Sequence, residues 1–143
     1  MKANKMCAIL GNEHEYSGLM PLTENRPLST LYFDCKYRIM DFAISSAANA
    51  NIRTVYIILN EGRVKSVFDH LGGGREWGLD SIGSYQYLSF YQDILRQKAE
   101  GKDYYCNIID FLRKSKSAYT VFIGNKMLCN IDLRTVLNVH QSQ

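Results

Sequence analysis

Three loops carry the residue types that could do chemistry, and the first of them directly follows an apolar run. It begins at Gly11, and its charged side chains are Glu13 and Glu15. A phosphate-binding loop needs several glycines and a balancing cation, whereas this loop has only Gly11 and Gly18 and two carboxylates that would repel a triphosphate. His14 stands between the glutamates, and the side chains of three adjacent residues diverge rather than converge on a metal. We interpret this segment as a solvated surface loop.

The second loop combines glycines with an arginine. Gly72, Gly73 and Gly74 precede Arg75, a combination that could hold an anion. These residues follow a predicted helix instead of opening one, and the C-terminus of a helix is the wrong end of its dipole for phosphate. We interpret the segment as a helix cap and a turn.

The third loop follows another apolar run and begins with Gly124 and Asn125. An aspartate at this place would be a natural magnesium ligand, because Mg²⁺ prefers carboxylate oxygen. Asn125 offers only a neutral carbonyl oxygen. The sequence therefore predicts no metal site at this strand end.

Histidines and cysteines predict no metal or nucleophilic cluster either. The histidines are isolated in the sequence, and we interpret each as structural or solvated. The cysteines form no CxxC pair and no group with histidine at zinc-ligand spacing, so they indicate free thiols in a reducing compartment. The residues are His14, His70, His140, Cys7, Cys35, Cys106 and Cys129.

Composition excludes several classes of protein. Of 143 residues, 46% are apolar and 12% aromatic, which is typical of a folded domain and not of a disordered chain. The net charge of +3 arises from 17 basic and 14 acidic residues, without the concentrated basic face of a nucleic-acid-binding protein. No apolar run approaches the roughly 18 residues of a membrane-spanning helix, and the N-terminus lacks a secretory signal pattern. We expect a cytoplasmic protein that has neither nucleic acid nor a membrane as partner.

The elements that would position the loops alternate between strands and helices. Continuous apolar runs are typical of strands buried on both faces of a sheet, and 3.6-residue periodicity between them predicts helices. Gly72 is expected to cap the second helix at its end, and Asp132 the last helix at its start. The fold class is therefore α/β: a Rossmann-like sandwich with a mostly parallel or mixed sheet flanked by helices. The ranges are 6–10, 54–59 and 119–123 for strands, and 39–50, 64–71, 105–112 and 133–137 for helices.

Residues 72–103 give no clear period. They contain an aromatic patch, formed by Tyr85, Tyr87, Phe90 and Tyr91. Such a patch is either part of a core or a subunit interface. We favour the core.

Segments along the whole chain resemble one known family. The most specific are KYRIMDFAIS at 36–45 and NANIR at 49–53, preceded by Arg26 and followed by SVFDHL at 66–71. They resemble the N-terminal part of the glucose-1-phosphate adenylyltransferases, also called ADP-glucose pyrophosphorylases. That family joins ATP to glucose 1-phosphate with Mg²⁺, releases pyrophosphate and supplies ADP-glucose for glycogen or starch. The resemblance implies that residues 1–143 are the N-terminal part of a nucleotidyltransferase-like domain, with the rest of the domain and a C-terminal β-helix outside them.

The chain departs from the family at three places that serve catalysis. The family's glycine-rich loop LAGGxGTRL reads GNEHEYSGL here, with Gly18 at the position of the arginine. The RAKP segment reads RPLS, with Leu28 at the position of the lysine, and the metal-binding Gly-Asp pair reads Gly124-Asn125. Each change removes a cation or a metal ligand from the place where pyrophosphate must be stabilised. The resemblance is therefore closest to the GlgD-type regulatory subunits of this family.

The resemblance and its departures together imply a function. They imply a regulatory, catalytically impaired subunit of ADP-glucose pyrophosphorylase in glycogen biosynthesis, which forms a hetero-oligomer with a homologous catalytic subunit. We expect no catalytic residue and no metal site, with Mg²⁺ and ATP bound weakly or not at all. Residual contacts to a nucleotide or sugar phosphate are assigned to Gly11, Arg26 and Lys36.

Two other functions stay open. One is an active sugar-nucleotide transferase with an altered phosphate loop, in which Arg26, Lys36 or Arg38 makes the phosphate contacts. For Arg38 and Asp41 we favour ion pairs and caps at the start of a helix. The other is a pure subunit-interaction module, whose contact surface would be the aromatic patch at 85–91.

Overall fold

The computed structural model describes residues 6–11, 16–60, 64–72, 75–77, 84–124 and 126–143. These residues form six strands and five α-helices joined by turns and short 3-10 segments. The strands are β1 (Met6–Gly11), β2 (Tyr32–Phe33), β3 (Tyr37–Arg38), β4 (Thr54–Leu59), β5 (Tyr85–Phe90) and β6 (Tyr119–Gly124). The helices are α1 (Ile39–Asn49), α2 (Lys65–Leu71), α3 (Tyr91–Ala99), α4 (Cys106–Ser115) and α5 (Leu133–Ser142). No helix in these ranges is long and apolar enough to cross a membrane.

Four strands form one sheet in the order β5-β4-β1-β6, and every neighbouring pair is parallel. The three strands predicted from apolar runs are confirmed. β5 was not predicted, because its residues are only partly buried and show no clear alternation of apolar and polar side chains. The predicted α/β class with helices on both faces of a parallel sheet is also confirmed.

Burial of β1 and β4 explains the position of the helices. All six residues of each strand are buried. One face of the sheet packs against α1, α2 and α5 around Leu10, Ile57 and Ile44, and the other packs against α4 around Ile9 and Phe111. Apolar side chains on both faces require cover on both sides, so the sheet becomes the middle of three layers.

The aromatic patch belongs mostly to the second of these cores, as favoured above. The ring of Phe111 lies 5.1 Å from that of Tyr56, 5.7 Å from that of Tyr87 and 6.5 Å from that of Tyr85, all in edge-to-face orientation. Burial raises the pKa of both Tyr56 and Tyr85. Phe90 packs against the opposite core. Since these rings contact the core, they leave little surface for the subunit contact that the interaction-module hypothesis placed here.

Helix boundaries follow the predicted signals. Gly72 ends α2 with a φ of +49°, a conformation that glycine adopts without a Cβ penalty, and its N–H donates to the carbonyl of Phe68. Asn51 follows α1 with a φ of +60° and stops it before β4. α3 was not predicted; it has no fully buried residue, and its Tyr91 and Ile94 pack against the second core while staying partly exposed.

Strands β2 and β3 form a hairpin with an uncommon turn. Phe33 pairs with Tyr37 and Tyr32 with Arg38, which leaves three residues in the loop. Two of them, Asp34 and Cys35, have φ values of +52° and +58°. Left-handed backbone costs energy for residues that carry a Cβ, and aspartate tolerates it better than cysteine because its side chain can hydrogen-bond locally.

Replacing Cys35 by glycine is expected to stabilise the protein by up to about 1 kcal/mol, because relief of the left-handed strain outweighs the extra backbone freedom that glycine brings to the unfolded state. Urea unfolding of the wild-type protein and of Cys35→Gly measures the change. Cys35→Ser is the matched control, since it removes the thiol and keeps the Cβ, and it should leave the midpoint unchanged. An equal or lower midpoint for Cys35→Gly would show that the strain at this residue does not exceed the backbone entropy that glycine adds to the unfolded state.

Asp132 caps α5, as predicted. Its Oδ1 accepts a hydrogen bond from the backbone N–H of Arg134 at 3.0 Å, and its Oδ2 accepts one from the hydroxyl of Thr135 at 3.0 Å. The bonds from Thr135 and then Arg134 stabilise the ionised carboxylate and lower the pKa of Asp132 from 3.8. The cap is therefore strongest while the side chain is charged.

A pH dependence follows from the direction of this shift. The pKa of Asp132 is lower in the folded than in the unfolded state. Its contribution to the free energy of unfolding is therefore complete above the unfolded-state pKa and is lost as the pH falls through the folded-state pKa. Between about pH 5 and pH 2, Asp132→Asn should therefore weaken the pH dependence of the unfolding midpoint. Thermal unfolding across this range tests it, with Asp69→Asn as the control at another exposed aspartate. Parallel pH profiles for the wild type and Asp132→Asn would contradict the role of the charge.

Candidate functional site

The order of the sheet marks one edge as the place for a ligand. The chain runs outward from β1 to β4 and β5, then returns to the other side of β1 with β6. In open α/β sheets, ligands bind at the carboxyl ends of the strands, where the strand order reverses. Here the reversal lies between β1 and β6, whose last residues, Gly11 and Gly124, are paired across the sheet.

Phe122 shapes this edge. A Cβ on Gly11 would lie 2.5 Å from the ring atom Cζ of Phe122, so the ring covers the Cα of the glycine. The side chain of Phe122 is nevertheless 61% exposed. Gly11, one of the three residues predicted to contact a ligand, thus lies at the crevice, and its missing side chain accommodates this ring.

The segments that follow β1 and β6 contact one another. The Nζ of Lys126 lies 5.6 Å from the centre of the Tyr16 ring, which is within the range of a cation–π interaction. Gly18 lies in open space, with no heavy atom within 4 Å of where its Cβ would be. The predictions made for Glu13, His14, Glu15 and Asn125 fall outside the described residues, as do those for Gly73 and Gly74.

A second group of predicted residues meets around one ring on the β2–β3 hairpin. The guanidinium carbon of Arg38 lies 3.5 Å from the centre of the Tyr32 ring, and that of Arg26 lies 5.5 Å from it. Arg26 and Tyr32 also line a cavity of about 340 Å³ together with Leu22 and Asn25. We call Arg26, Tyr32 and Arg38 the arginine–tyrosine cluster. Its cations can attract an anion, because none of them lies within ion-pair distance of a carboxylate in the described part of the chain.

Lys36 lies beside this cluster without joining it. Its Nζ is 5.3 Å from the centre of the neighbouring Tyr37 ring. Tyr37 is 45% exposed, so the ammonium group stays close to solvent. The structure therefore brings Arg26 together with Arg38, and it places Lys36 on an adjacent ring.

The start of α1 explains how Arg38 is held. The backbone N–H of Arg38 donates to Oδ2 of Asp41 at 2.8 Å, which is the predicted cap, and its guanidinium donates to the carbonyl of Thr30 at 2.7 Å. The other oxygen of Asp41 lies 2.5 Å from Nε2 of His70. Asp41 thus pairs with His70 and not with the guanidinium of Arg38. The structural interpretation of His70 agrees with this contact.

Leu28 lies in a buried 3-10 turn. It is 6% exposed, and the next two residues, Ser29 and Thr30, are fully buried. The side chain of Leu28 packs inside the protein and is uncharged, so it supplies no cation to a ligand at the surface. The positive charge near this turn comes instead from Arg26 and Arg38.

The described residues offer no set of donors for magnesium. They contain no group of three or more histidine, cysteine, aspartate or glutamate side chains placed to hold a metal ion. In the sequence, Asn125 follows β6, and its amide oxygen is neutral.

Several residues at the crevice and at the arginine–tyrosine cluster were not predicted from the sequence. The sequence does not reveal the contact between Tyr32 and Arg38, because the two residues meet only when the hairpin pairs them. The turn itself was missed because Asp34 is followed by Cys35 and not by the glycine that usually completes such a hairpin signal. Phe122 was taken as an interior strand residue. The aromatic residue at 16 and the lysine at 126 lie too far apart in sequence to suggest contact.

Comparison with known proteins identifies the family. A family model described as nucleotidyl transferase matches residues 17–143. The chain belongs to this family. Among relatives of this nucleotidyl transferase chain, the glycogen biosynthesis protein GlgD of Geobacillus stearothermophilus is 30% identical over 140 residues, which are 96% of this chain and 40% of that protein. GlgD of Bacillus subtilis matches with the same identity and coverage.

Catalytic relatives and a solved structure match less closely. Glucose-1-phosphate adenylyltransferase of Aliivibrio fischeri is 26% identical over 136 residues, which are 90% of this chain and 32% of that protein. A crystal structure described as a glucose-1-phosphate thymidylyltransferase of Bacillus anthracis has a TM-score of 0.68 at 18% identity, over 96% of this chain and 51% of that one. It supports the nucleotidyl transferase fold. The chain spans about 40% of the length of the GlgD relatives it matches.

The contact between Gly11 and Phe122 gives a test of the crevice. Gly11→Ala should lower the free energy of unfolding by about 1 kcal/mol, a small overpacking cost because an exposed ring can turn away. In a Phe122→Ala background the same change should cost nothing, and urea unfolding of the four proteins measures the coupling. Gly18→Ala is the control, since its Cβ would meet no atom within 4 Å. An equal cost of Gly11→Ala in both backgrounds would show that the ring does not cover this glycine.

Proposed function

We propose that the protein acts in the cytoplasm as a regulatory, catalytically impaired subunit of ADP-glucose pyrophosphorylase in glycogen biosynthesis. The family reaction converts ATP and glucose 1-phosphate to ADP-glucose and pyrophosphate. The proposed partner is a homologous catalytic subunit, with which the protein forms a hetero-oligomer. Support comes from the GlgD relatives, which match 96% of this chain, and from Gly18, Leu28 and Asn125, which stand where the resemblance places residues that serve catalysis.

The burial of Leu28 is the observation that carries this proposal. The resemblance places a catalytic lysine at this position, and here the side chain is apolar and 6% exposed. Nucleotidyl transfer depends on fixed cations that stabilise charge developing on the phosphates. Loss of one such group typically costs about 3 kcal/mol of transition-state stabilisation, or roughly a hundredfold in rate.

Gly18 adds to this argument. It stands where the family has an arginine, and in the described part of the chain no heavy atom lies within 4 Å of where its Cβ would be. Asn125, at the position of the metal-binding aspartate, would remove a second source of positive charge, the bound metal. All three changes remove a group that would help to stabilise the pyrophosphate, and this favours a change of role over a change of substrate.

Retained cations favour a ligand-binding role. Arg26 and Arg38 converge on Tyr32 beside a cavity of about 340 Å³. We propose that the arginine–tyrosine cluster, with Lys36 nearby, binds the phosphate of a nucleotide or sugar phosphate. The same cluster is the best support for the second candidate, an active sugar-nucleotide transferase, because its cations could replace the lost ones. A pure interaction module has less support, since the aromatic patch packs into the core.

The proposal predicts that the purified protein alone forms ADP-glucose from ATP, glucose 1-phosphate and Mg²⁺ at less than about 1% of the rate of its catalytic homologue, because the cations that stabilise the transition state are absent. The homologue from the same organism is the positive control. Size-exclusion chromatography of the mixture should give a single complex containing both chains. Turnover at the rate of the homologue would establish the active transferase instead, and separate elution of the two chains would rule out the subunit role.

Calorimetry separates the remaining possibilities. Binding of ADP-glucose or pyrophosphate that is lost in Arg26→Ala supports a ligand site at the cluster. Co-elution without any binding of these anions would instead favour the interaction module.

A further inference from the structure

Helix α2 presents two polar side chains to the surroundings of Arg38. Ser66 and His70 are four residues apart, so they lie on the same face of the helix. The hydroxyl of Ser66 lies 3.0 Å from that of Thr30, and Nε2 of His70 lies 2.5 Å from Oδ1 of Asp41. The helix itself is fixed to the core through Val67 and Leu71, which are buried.

The two residues that α2 contacts also hold Arg38, through other atoms. The backbone carbonyl of Thr30 accepts the hydrogen bond from the guanidinium of Arg38, and Oδ2 of Asp41 accepts the one from its backbone N–H. Arg38 is therefore held at its side-chain end and at its backbone end, and each of the two holding residues contacts one residue of α2. Removing either contact would loosen a residue that holds Arg38, whose guanidinium is stacked 3.5 Å from the centre of the Tyr32 ring.

Burial strengthens the hydrogen bonds of Thr30, Asp41 and His70. Thr30 is fully buried, and the side chains of Asp41 and His70 are 11% and 17% exposed. Hydrogen bonds shielded from water are weakened little by competing solvent, and a buried acceptor that loses its donor carries the cost of its own desolvation. The contacts can thus fix the direction of Arg38 without touching a ligand themselves.

We propose that His70 and Ser66 are positioning residues for the arginine–tyrosine cluster. They act through Asp41 and Thr30 to aim the guanidinium of Arg38 at a phosphate-bearing ligand. This inference rests on the proposed ligand site at the cluster. It adds that the affinity of the site depends on α2, an element that contributes no side chain to the cluster.

The test measures the affinity of the full protein for pyrophosphate by calorimetry, alongside the thermal unfolding midpoint of each variant. His70→Leu removes the donor to Asp41 and should weaken pyrophosphate binding about tenfold, whereas His70→Gln can still donate and should stay within about threefold of the wild type. Ser66→Ala should weaken binding about threefold, and Ser66→Thr, which keeps the hydroxyl, should restore it. Asp69→Ala is the control, because this residue is on α2 and exposed.

A double-mutant cycle distinguishes positioning from general destabilisation. In an Arg38→Ala background, His70→Leu should cause no further loss of affinity, because the group it positions is gone. Equal losses in His70→Leu and His70→Gln, or an undiminished loss in the Arg38→Ala background, would overturn the inference. If His70→Leu does not fold, the Ser66 pair decides by the same criteria.

Failure of the ligand site is distinguishable from failure of the positioning role. A wild-type protein that does not bind pyrophosphate at all would overturn both the site and its positioning by α2. Normal binding in the wild type, lost in Arg26→Ala but unchanged in the variants of both His70 and Ser66, would overturn only the positioning role. The regulatory function is judged separately, by the absence of ADP-glucose formation.

Discussion

The exclusion of water from both faces of β1 and β4 is the constraint on which the rest of the structure depends. Their twelve residues are all buried, and the sheet can keep them so only if helices cover each side. Parallel pairing then brings the carboxyl ends of all four strands to one edge. The crevice between β1 and β6 is thus a consequence of burial, and it persists when the residues that line it change.

A second constraint acts at the start of α1, through a single carboxylate. Asp41 caps the helix by accepting the N–H of Arg38 and binds His70 on α2 with its other oxygen. One side chain therefore joins the hairpin, α1 and α2. This carboxylate caps α1 and binds the imidazole of His70 at the same time. It thereby fixes the angle between the hairpin and the helix, and with it the position of Arg38.

The sequence was sufficient to predict the elements whose burial is complete or whose ends are chemically marked. β1 and β4 follow from continuous apolar runs, and Gly72 and Asp132 mark helix ends where they were expected. β5 and α3 were missed because they are only partly buried, so their patterns are weak. The site was harder to predict, because Tyr32 and Arg38 meet through a three-residue turn that contains neither glycine nor proline and in which Cys35 adopts a left-handed conformation.

Catalysis and ligand binding make different physical demands on the candidate site, and this difference connects the fold to the proposed role. Catalysis requires cations placed where charge develops in the transition state, whereas ligand binding requires only attraction in the ground state. In the proposed function, Leu28 and Gly18 do not supply the first requirement, because one is buried and the other has no side chain. Arg26 and Arg38 are proposed to supply the second, because both lie against the ring of Tyr32 and Arg38 is also held by a hydrogen bond to the buried Thr30. The proposed function therefore requires that this domain bind a phosphate-bearing ligand and not turn it over.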